Sequence, residues 1–139
     1  MGSRRKGREA ALRMLYFMDV ASVSGTQAIR SYWGSLANAD EPESEADFAN
    51  EIVGSYATHQ DEINELIRNS SHHWRLERMP IVDRNVLRVA IVELRDMKDI
   101  PKRVTLNEAV ELAKRFGSEG SGAFVNGVLD RIATDLGKA

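Results

Sequence analysis

Residues 82–94 read VDRNVLRVAIVEL and lie just after Pro80. Apolar side chains surround almost the whole circumference of this stretch when it is drawn as a helix, which is typical of a helix buried on nearly all sides. Proline is favoured in the first turn of a helix, so Pro80 indicates where this helix begins. The stretch therefore predicts that this helix is the central, buried one.

The sequence on both sides of this stretch has the apolar periodicity of amphipathic helices. The runs cover residues 11–18, 26–37, 44–69, 105–116 and 121–132. Polar residues at their starts predict helix caps at Ser3, Ser44, Thr105 and Ser121, and Gly117 predicts a helix end. No alternating β-branched run is long enough to predict a strand. The expected fold class is all-α.

Length and composition exclude several classes of protein. The chain has 139 residues, about one domain, and 19 Lys plus Arg against 21 Asp plus Glu give a net charge of −2. This charge excludes a globally basic nucleic-acid-binding protein. The absence of Cys excludes disulfides, thiolate metal sites and a Cys nucleophile. The sequence contains neither a membrane-spanning run nor the apolar core of a signal peptide, so we expect a cytoplasmic protein.

The charge is unevenly distributed along the chain. Residues 1–13 carry five bases against one acid, a net charge of +4, whereas residues 40–51 carry six acids and no base. A short basic arm is typical of polyanion binding, but a solvated terminus has the same composition. Tyr16 and Phe17 follow this arm and point about 100° apart on a helix. Either one of them accepts a stacked base or both lie at the edge of the core.

Motifs that carry catalysis are missing from the sequence. It contains no G-x-S-x-G, H-E-x-x-H or G-x-x-x-x-G-K-[ST] pattern. Gly117, Gly120 and Gly122 lie between two predicted helices with no strand before them, which favours a helix end and a connector over a nucleotide-binding loop. We expect no catalytic residue, no metal and no cofactor.

Several short motifs together resemble a known family. They are RRKGREAAL at residues 4–12 with Leu15-Tyr16, VDRNVLRVA at 82–90, Glu93-Leu94, Ile100-Pro101, NEAVELAKRFG at 107–117 and FVNGVLD at 124–130. They occur in this order, with similar spacing, over nearly the whole chain. In these motifs the chain resembles the NusB family.

The resemblance implies an all-helical fold of two small packed bundles, with about six to seven helices, in a single RNA-binding domain over residues 1–139. It also implies a non-catalytic function. NusB proteins are bacterial transcription antitermination factors that bind the single-stranded boxA element of nascent ribosomal RNA. They act together with NusE, a small-subunit ribosomal protein, on RNA polymerase with other Nus factors.

The resemblance also implies site residues by position. The RNA-binding residues are Arg4, Arg5, Arg8, Tyr16 and Phe124. The residues expected to bind NusE are Glu77 and Asp83. Two positions depart from some relatives: Gly120 stands where they have an acid and Ala123 where they have a base. These two departures have opposite expected effects on phosphate attraction.

Two other functions fit part of the same pattern. A helical protein–protein adaptor whose basic arm is incidental would have the same helices. An RNA methyltransferase with such a helical domain would need an additional α/β domain, for which this chain has neither the length nor the strand pattern. Monomer and homodimer both fit the resemblance.

Overall fold

The computed structural model describes residues 2–35, 43–71 and 74–137. Its helices are α1 (Gly2–Ala21), α2 (Gly25–Gly34), α3 (Glu43–Thr58), α4 (Gln60–Ser70), α5 (Ile81–Asp96), α6 (Lys102–Phe116) and α7 (Ser121–Asp135). A short 3₁₀ helix, Leu76–Arg78, precedes α5. Within these residues there are seven α-helices and no strand, so the predicted all-α fold class and helix number are confirmed.

The chain divides into two compact units, Met1–Thr58 and His59–Ala139. The division falls inside the apolar run 44–69, where His59 separates α3 from α4. Each unit contains several helices that pack on one another, as the expected pair of small bundles requires. The assignment of residues 1–139 to a single domain stays a prediction.

In the first unit, α1 packs against both α2 and α3. Its buried face includes Ala11 and Leu15, and α3 contributes Ile52 and Val53 to the same core. The indole Nε1 of Trp33, on α2, donates a hydrogen bond of 2.7 Å to Asn50 Oδ1 on α3. This bond joins α2 to α3 at the edge of the core.

In the second unit, α5 is the central helix. It packs against α4, α6 and α7, and every residue from Asn85 to Leu94 is buried. Polar groups on α5 have partners inside the unit: Arg88 Nε donates to Asn64 Oδ1 at 3.1 Å, and Arg88 Nη1 donates to Asn85 Oδ1 at 2.9 Å. Buried polar groups need such partners to offset their lost hydration. The prediction of a central buried helix is confirmed.

The predicted helix starts were less accurate than the predicted helices. Ser3, Ser44 and Thr105 lie inside helices, because α1, α3 and α6 begin earlier than the sequence pattern indicated. Ser121 is the first residue of α7, and Gly120 is its N-cap. The four predicted caps are therefore wrong. Two of these hydroxyls instead bind carboxylates of α5: Thr105 Oγ1 donates to Glu93 Oε1 at 3.1 Å, and Ser121 Oγ donates to Asp83.

The predicted end of α6 is confirmed, since Gly117 is its C-cap residue. Among the described residues, no helix is both long enough and apolar enough to cross a membrane.

Candidate nucleic-acid interface

The basic segment (residues 4–8) forms the first turns of α1 and is not an extended arm. Arg4, Arg5 and Lys6 are exposed, whereas Arg8 is only 3% exposed. The side chains that a polyanion can reach directly are therefore those at the start of the segment. Because the backbone is helical, their relative directions are fixed.

Phe48 of α3 holds two of the arginines. The guanidinium carbon of Arg4 lies 5.4 Å from the centre of the Phe48 ring, and that of Arg8 lies 5.5 Å from it. A guanidinium within about 6 Å of an aromatic ring centre is attracted to the ring face. Phe48 is therefore a positioning residue for the basic segment, with Arg8 as its buried neighbour and Arg4 as its exposed one.

Gly7 allows α1 to approach α3 at this point. A Cβ atom on Gly7 would lie 2.8 Å from Phe48 Cδ2 and 3.2 Å from the carbonyl oxygen of Glu45. Because the second contact is with backbone, a larger residue would push the two helices apart. Glu45 itself is buried, so the acidic stretch 40–51 is not solvated along its whole length. The acids Asp40 and Glu41 lie outside the described residues.

Tyr16 and Phe17 lie farther along α1 and are both about 40% exposed. Tyr16 is 11 residues from Arg5, so the two side chains project within about 20° of each other and lie about 16 Å apart along the helix axis. Phe17 points to a different side, where it lines a cavity of about 110 Å³ with Arg13 and Tyr32. Tyr16 therefore shares the face of Arg5, whereas Phe17 lies beside Arg13, which is exposed as well.

In the second unit, Phe124 lies in the first turn of α7 and is partly buried. Its ring packs edge-to-face with that of Trp74, with ring centres 6.3 Å apart and planes at 73°. Trp74 is 52% exposed and was not identified from the sequence. It stands outside every apolar stripe, in the connector before the 3₁₀ helix and next to Arg75. That isolated position is the sequence signal that could have drawn attention to it.

The start of α7 is fixed by a buried hydrogen-bond chain. Ser121 Oγ accepts from the Ser118 N–H at 3.0 Å and donates to Asp83 Oδ1 at 2.7 Å. Gly117 makes room for this hydroxyl, because a Cβ atom there would lie 2.7 Å from Ser121 Oγ and 2.7 Å from the carbonyl oxygen of Ala113. Asp83, which was expected to bind NusE, is only 4% exposed. In this structure it joins the starts of α5 and α7.

Glu77, the other residue expected to bind NusE, lies on the surface. Its side chain is 66% exposed, and its Oε2 accepts a hydrogen bond of 3.1 Å from Arg68 Nη2. A backbone hydrogen bond, and after it the bond from Arg68, lower the pKa of the Glu77 carboxyl below its ordinary value. The carboxylate therefore stays ionised at neutral and mildly acidic pH. Arg84 of α5 donates to the carbonyl oxygens of Leu76 and Glu77 and fixes this turn.

Across the described ranges, no group of three or more His, Asp or Glu side chains could hold a metal ion. Basic and aromatic residues occur together in each unit, and Glu77 is an exposed acid just before α5.

Comparison with known proteins identifies the family. The model of the NusB family matches residues 5–134. The transcription antitermination protein NusB of Myxococcus xanthus is 49% identical over 139 residues, which cover 99% of each chain. This chain belongs to the NusB family. It is therefore a transcription antitermination factor and not an enzyme.

Solved NusB structures have the same fold. NusB from T. maritima superimposes with a TM-score of 0.87 at 36% identity, covering 95% of this chain and 91% of that one. A structure of the antitermination factors NusB and NusE in complex with dsRNA matches with a TM-score of 0.86 at 26% identity, covering 97% and 98% of the two chains. The expected NusB-like fold is thus confirmed.

Proposed function

We propose that this NusB-family protein binds the single-stranded boxA element of nascent RNA, together with NusE, on RNA polymerase. The observation that carries the proposal is that one face of α1 presents an exposed arginine, Arg5, and an exposed aromatic ring, Tyr16. Arginines attract the phosphates of any strand, and aromatic rings stack on bases that are not paired. A chain with a net charge of −2 requires such a local cationic surface to bind RNA.

The aromatic rings favour single-stranded RNA over double-stranded RNA. In double-stranded RNA the bases are already stacked inside the helix, so proteins recognise it mostly by its shape and its backbone. Tyr16 and Phe124 gain a stacking partner only from an unpaired base. The related NusB–NusE structure contains dsRNA. For this chain we propose that a single strand binds more tightly than a duplex of the same sequence.

Glu77 supports the proposed contact with NusE. It is an exposed carboxylate on a turn that α5 holds in place, and it remains charged at neutral pH. A basic surface on NusE would complement it. If NusE also contributes phosphate contacts, the RNA is held by two linked proteins, which raises the apparent affinity without a new contact on this chain. Asp83 would act here by holding the starts of α5 and α7 in place.

The test is a titration of labelled RNA with this protein, with NusE and with the equimolar mixture. Single-stranded boxA RNA, a scrambled strand and a boxA duplex serve as ligands. We expect the mixture to bind single-stranded boxA RNA more tightly than either protein does, and more tightly than it binds the scrambled strand or the duplex. A mixture that binds no better than the stronger of its parts would contradict the proposed cooperation with NusE.

The double variant Arg4→Ala/Arg5→Ala tests the basic segment. Each phosphate contact to a single strand contributes roughly 0.7 to the slope of log K against log salt concentration. If both arginines contact phosphates, the slope should become shallower by about 1.4, and binding should weaken for every sequence. Both side chains are exposed, so thermal stability should fall only slightly, by the loss of the Arg4 contact with Phe48.

The double variant Arg30→Ala/Lys98→Ala is the control for this change, because it removes the same charge from exposed positions elsewhere. It should keep the slope of the parent protein. If the two double variants behave alike, the basic segment is a solvated terminus. The adaptor function would then be favoured, since α1 also exposes Phe17 beside a cavity and Val20 at 57% exposure as apolar surface for a protein partner.

A further inference from the structure

Trp74 is a large aromatic side chain that the fold leaves half exposed. The residue is 52% exposed, yet its ring is anchored at one edge by the 73° packing on Phe124. An edge-to-face pair of this kind presents two ring surfaces in different directions. Such a pair can take a flat, apolar ligand against one ring while the other ring supports it.

The backbone around Trp74 is held on both sides. Its N–H donates to the carbonyl oxygen of Ser71 at 3.0 Å, and Arg131 Nε donates to the carbonyl oxygen of Ser70 at 2.9 Å. On the other side, Leu76 is buried in the core of the unit. The backbone of Trp74 itself is therefore tied to the end of α4, which lowers the entropy that binding must overcome.

Exposed cations lie next to Trp74 in the chain and along the start of α7, and they favour a polyanion there. Gly122 and Phe124 are two residues apart and point about 200° apart on α7. A Cβ atom on Gly122 would lie 3.4 Å from Lys114 Cγ, so Lys114 lies along one side of the start of α7 while Trp74 lies on the other. The N-terminal end of α7 adds a partial positive charge between them. Lys114 and Arg75 are both exposed.

We propose that Trp74, supported by Phe124, is a base-stacking residue for one unpaired base of the bound RNA. This inference rests on the proposed RNA-binding function and adds to it a contact in the second unit that the sequence did not indicate. Aromatic platforms beside positive charge are the usual means by which proteins bind single strands.

The fluorescence of Trp74 provides a direct test. The chain has two tryptophans, and the variant Trp33→Phe leaves Trp74 as the one that emits. Adding single-stranded boxA RNA to this full-length variant should quench the emission and reduce its further quenching by acrylamide. The quenching should saturate at the same RNA concentration as binding measured with labelled RNA. Trp33→Phe should itself bind RNA as the parent protein does.

Substitution of Trp74 gives an independent measurement. Trp74→Ala should weaken RNA binding roughly 5- to 150-fold, the usual effect of removing one stacking ring. Trp74→Phe should retain most of the affinity, and Trp74→Leu, which keeps apolar bulk without an aromatic face, should resemble Trp74→Ala. Circular dichroism and thermal melting show whether each variant is folded.

The possible outcomes separate this inference from the function on which it rests. If the parent protein binds RNA but Trp74 is neither quenched nor needed, the inference is wrong and the proposed function stands. If NusE shields Trp74 and RNA does not, the ring belongs to a protein contact and the inference is again wrong. If neither this protein nor its mixture with NusE binds RNA, the proposed function itself fails. If a Trp74 variant loses affinity only because it unfolds, its melting curve shows this. The quenching of Trp33→Phe by RNA then tests the inference without any change at Trp74.

Discussion

Asp83→Lys is expected to lower the melting temperature of this protein by about 10 °C. Asp83 is buried and accepts the Ser121 Oγ–H bond at 2.7 Å. The substitution removes a buried hydrogen bond to a charged group, reverses a favourable charge in the first turn of α5 and places a longer, cationic side chain where the fold buries a carboxylate. Together these effects should cost about 3 kcal/mol or more of unfolding free energy. Thermal melting followed by circular dichroism measures the change.

Two further variants make this prediction specific. Asp83→Asn keeps an oxygen that can accept from Ser121, so it should melt close to the parent protein. Glu77→Lys reverses an exposed acid, so it should leave the melting temperature unchanged while weakening NusE binding. Should Asp83→Lys melt like the parent protein, the buried bond to Ser121 would have no structural importance. Loss of NusE binding in folded Asp83→Asn would instead assign Asp83 a direct contact with the partner.

The different surroundings of these two acids show where sequence reasoning reaches its limit. Glu77 and Asp83 lie six residues apart near the start of the same helix, and the local pattern around each is that of an acid at a helix start. Which of them is exposed depends on where α7 packs. Ser121, 38 residues beyond Asp83, supplies the partner that makes burial tolerable. No local signal carries that information.

The same limit explains the wrong helix caps. A Ser or Thr followed three residues later by an acid can cap a helix, and the sequence contains this pattern at Thr105. The Thr105 hydroxyl is instead used by Glu93, a buried carboxylate on the neighbouring helix. Because a hydroxyl serves a cap and a long-range bond equally well, the tertiary contact decided its role. The apolar pattern did predict α5 correctly, because a helix that is buried on all sides is apolar on nearly all sides. Its own sequence is enough to show this.

The boundary between the two units was hidden for a different reason. The buried residues of α3 and α4 follow one continuous helical spacing across His59. They are Glu45, Ala49, Ile52, Val53, Tyr56, Ile63, Ile67 and Ser70. Tyr56 and Ile63 are seven residues apart, which is two helical turns. A periodicity that stays in phase gives no sign that the chain leaves one unit and enters the next. The candidate RNA residues came from the resemblance of the motifs, whereas the position of Trp74 required the structure.

Tyr16→Ala is expected to weaken binding of single-stranded boxA RNA by about 1–3 kcal/mol, or roughly 5- to 150-fold in Kd. Tyr16 is 41% exposed and lies on the same face of α1 as Arg5, where a strand held by the arginine can place a base against its ring. Stacking needs the ring and not the hydroxyl, so Tyr16→Phe should bind nearly as the parent protein does. Titration of labelled RNA at a fixed salt concentration gives the three Kd values.

Phe17→Ala is the matched control for this prediction. Phe17 is a neighbouring aromatic residue of nearly equal exposure, 40%, but it points about 100° away and lines the cavity beside Arg13. If a base stacks on Tyr16, Phe17→Ala should leave RNA affinity almost unchanged, although it removes as much aromatic surface. Equal losses of affinity in the two variants, each matched by an equal loss of thermal stability, would show that both rings are edges of the core. A loss of RNA binding confined to Tyr16→Ala, at unchanged melting temperature, requires contact between Tyr16 and the RNA.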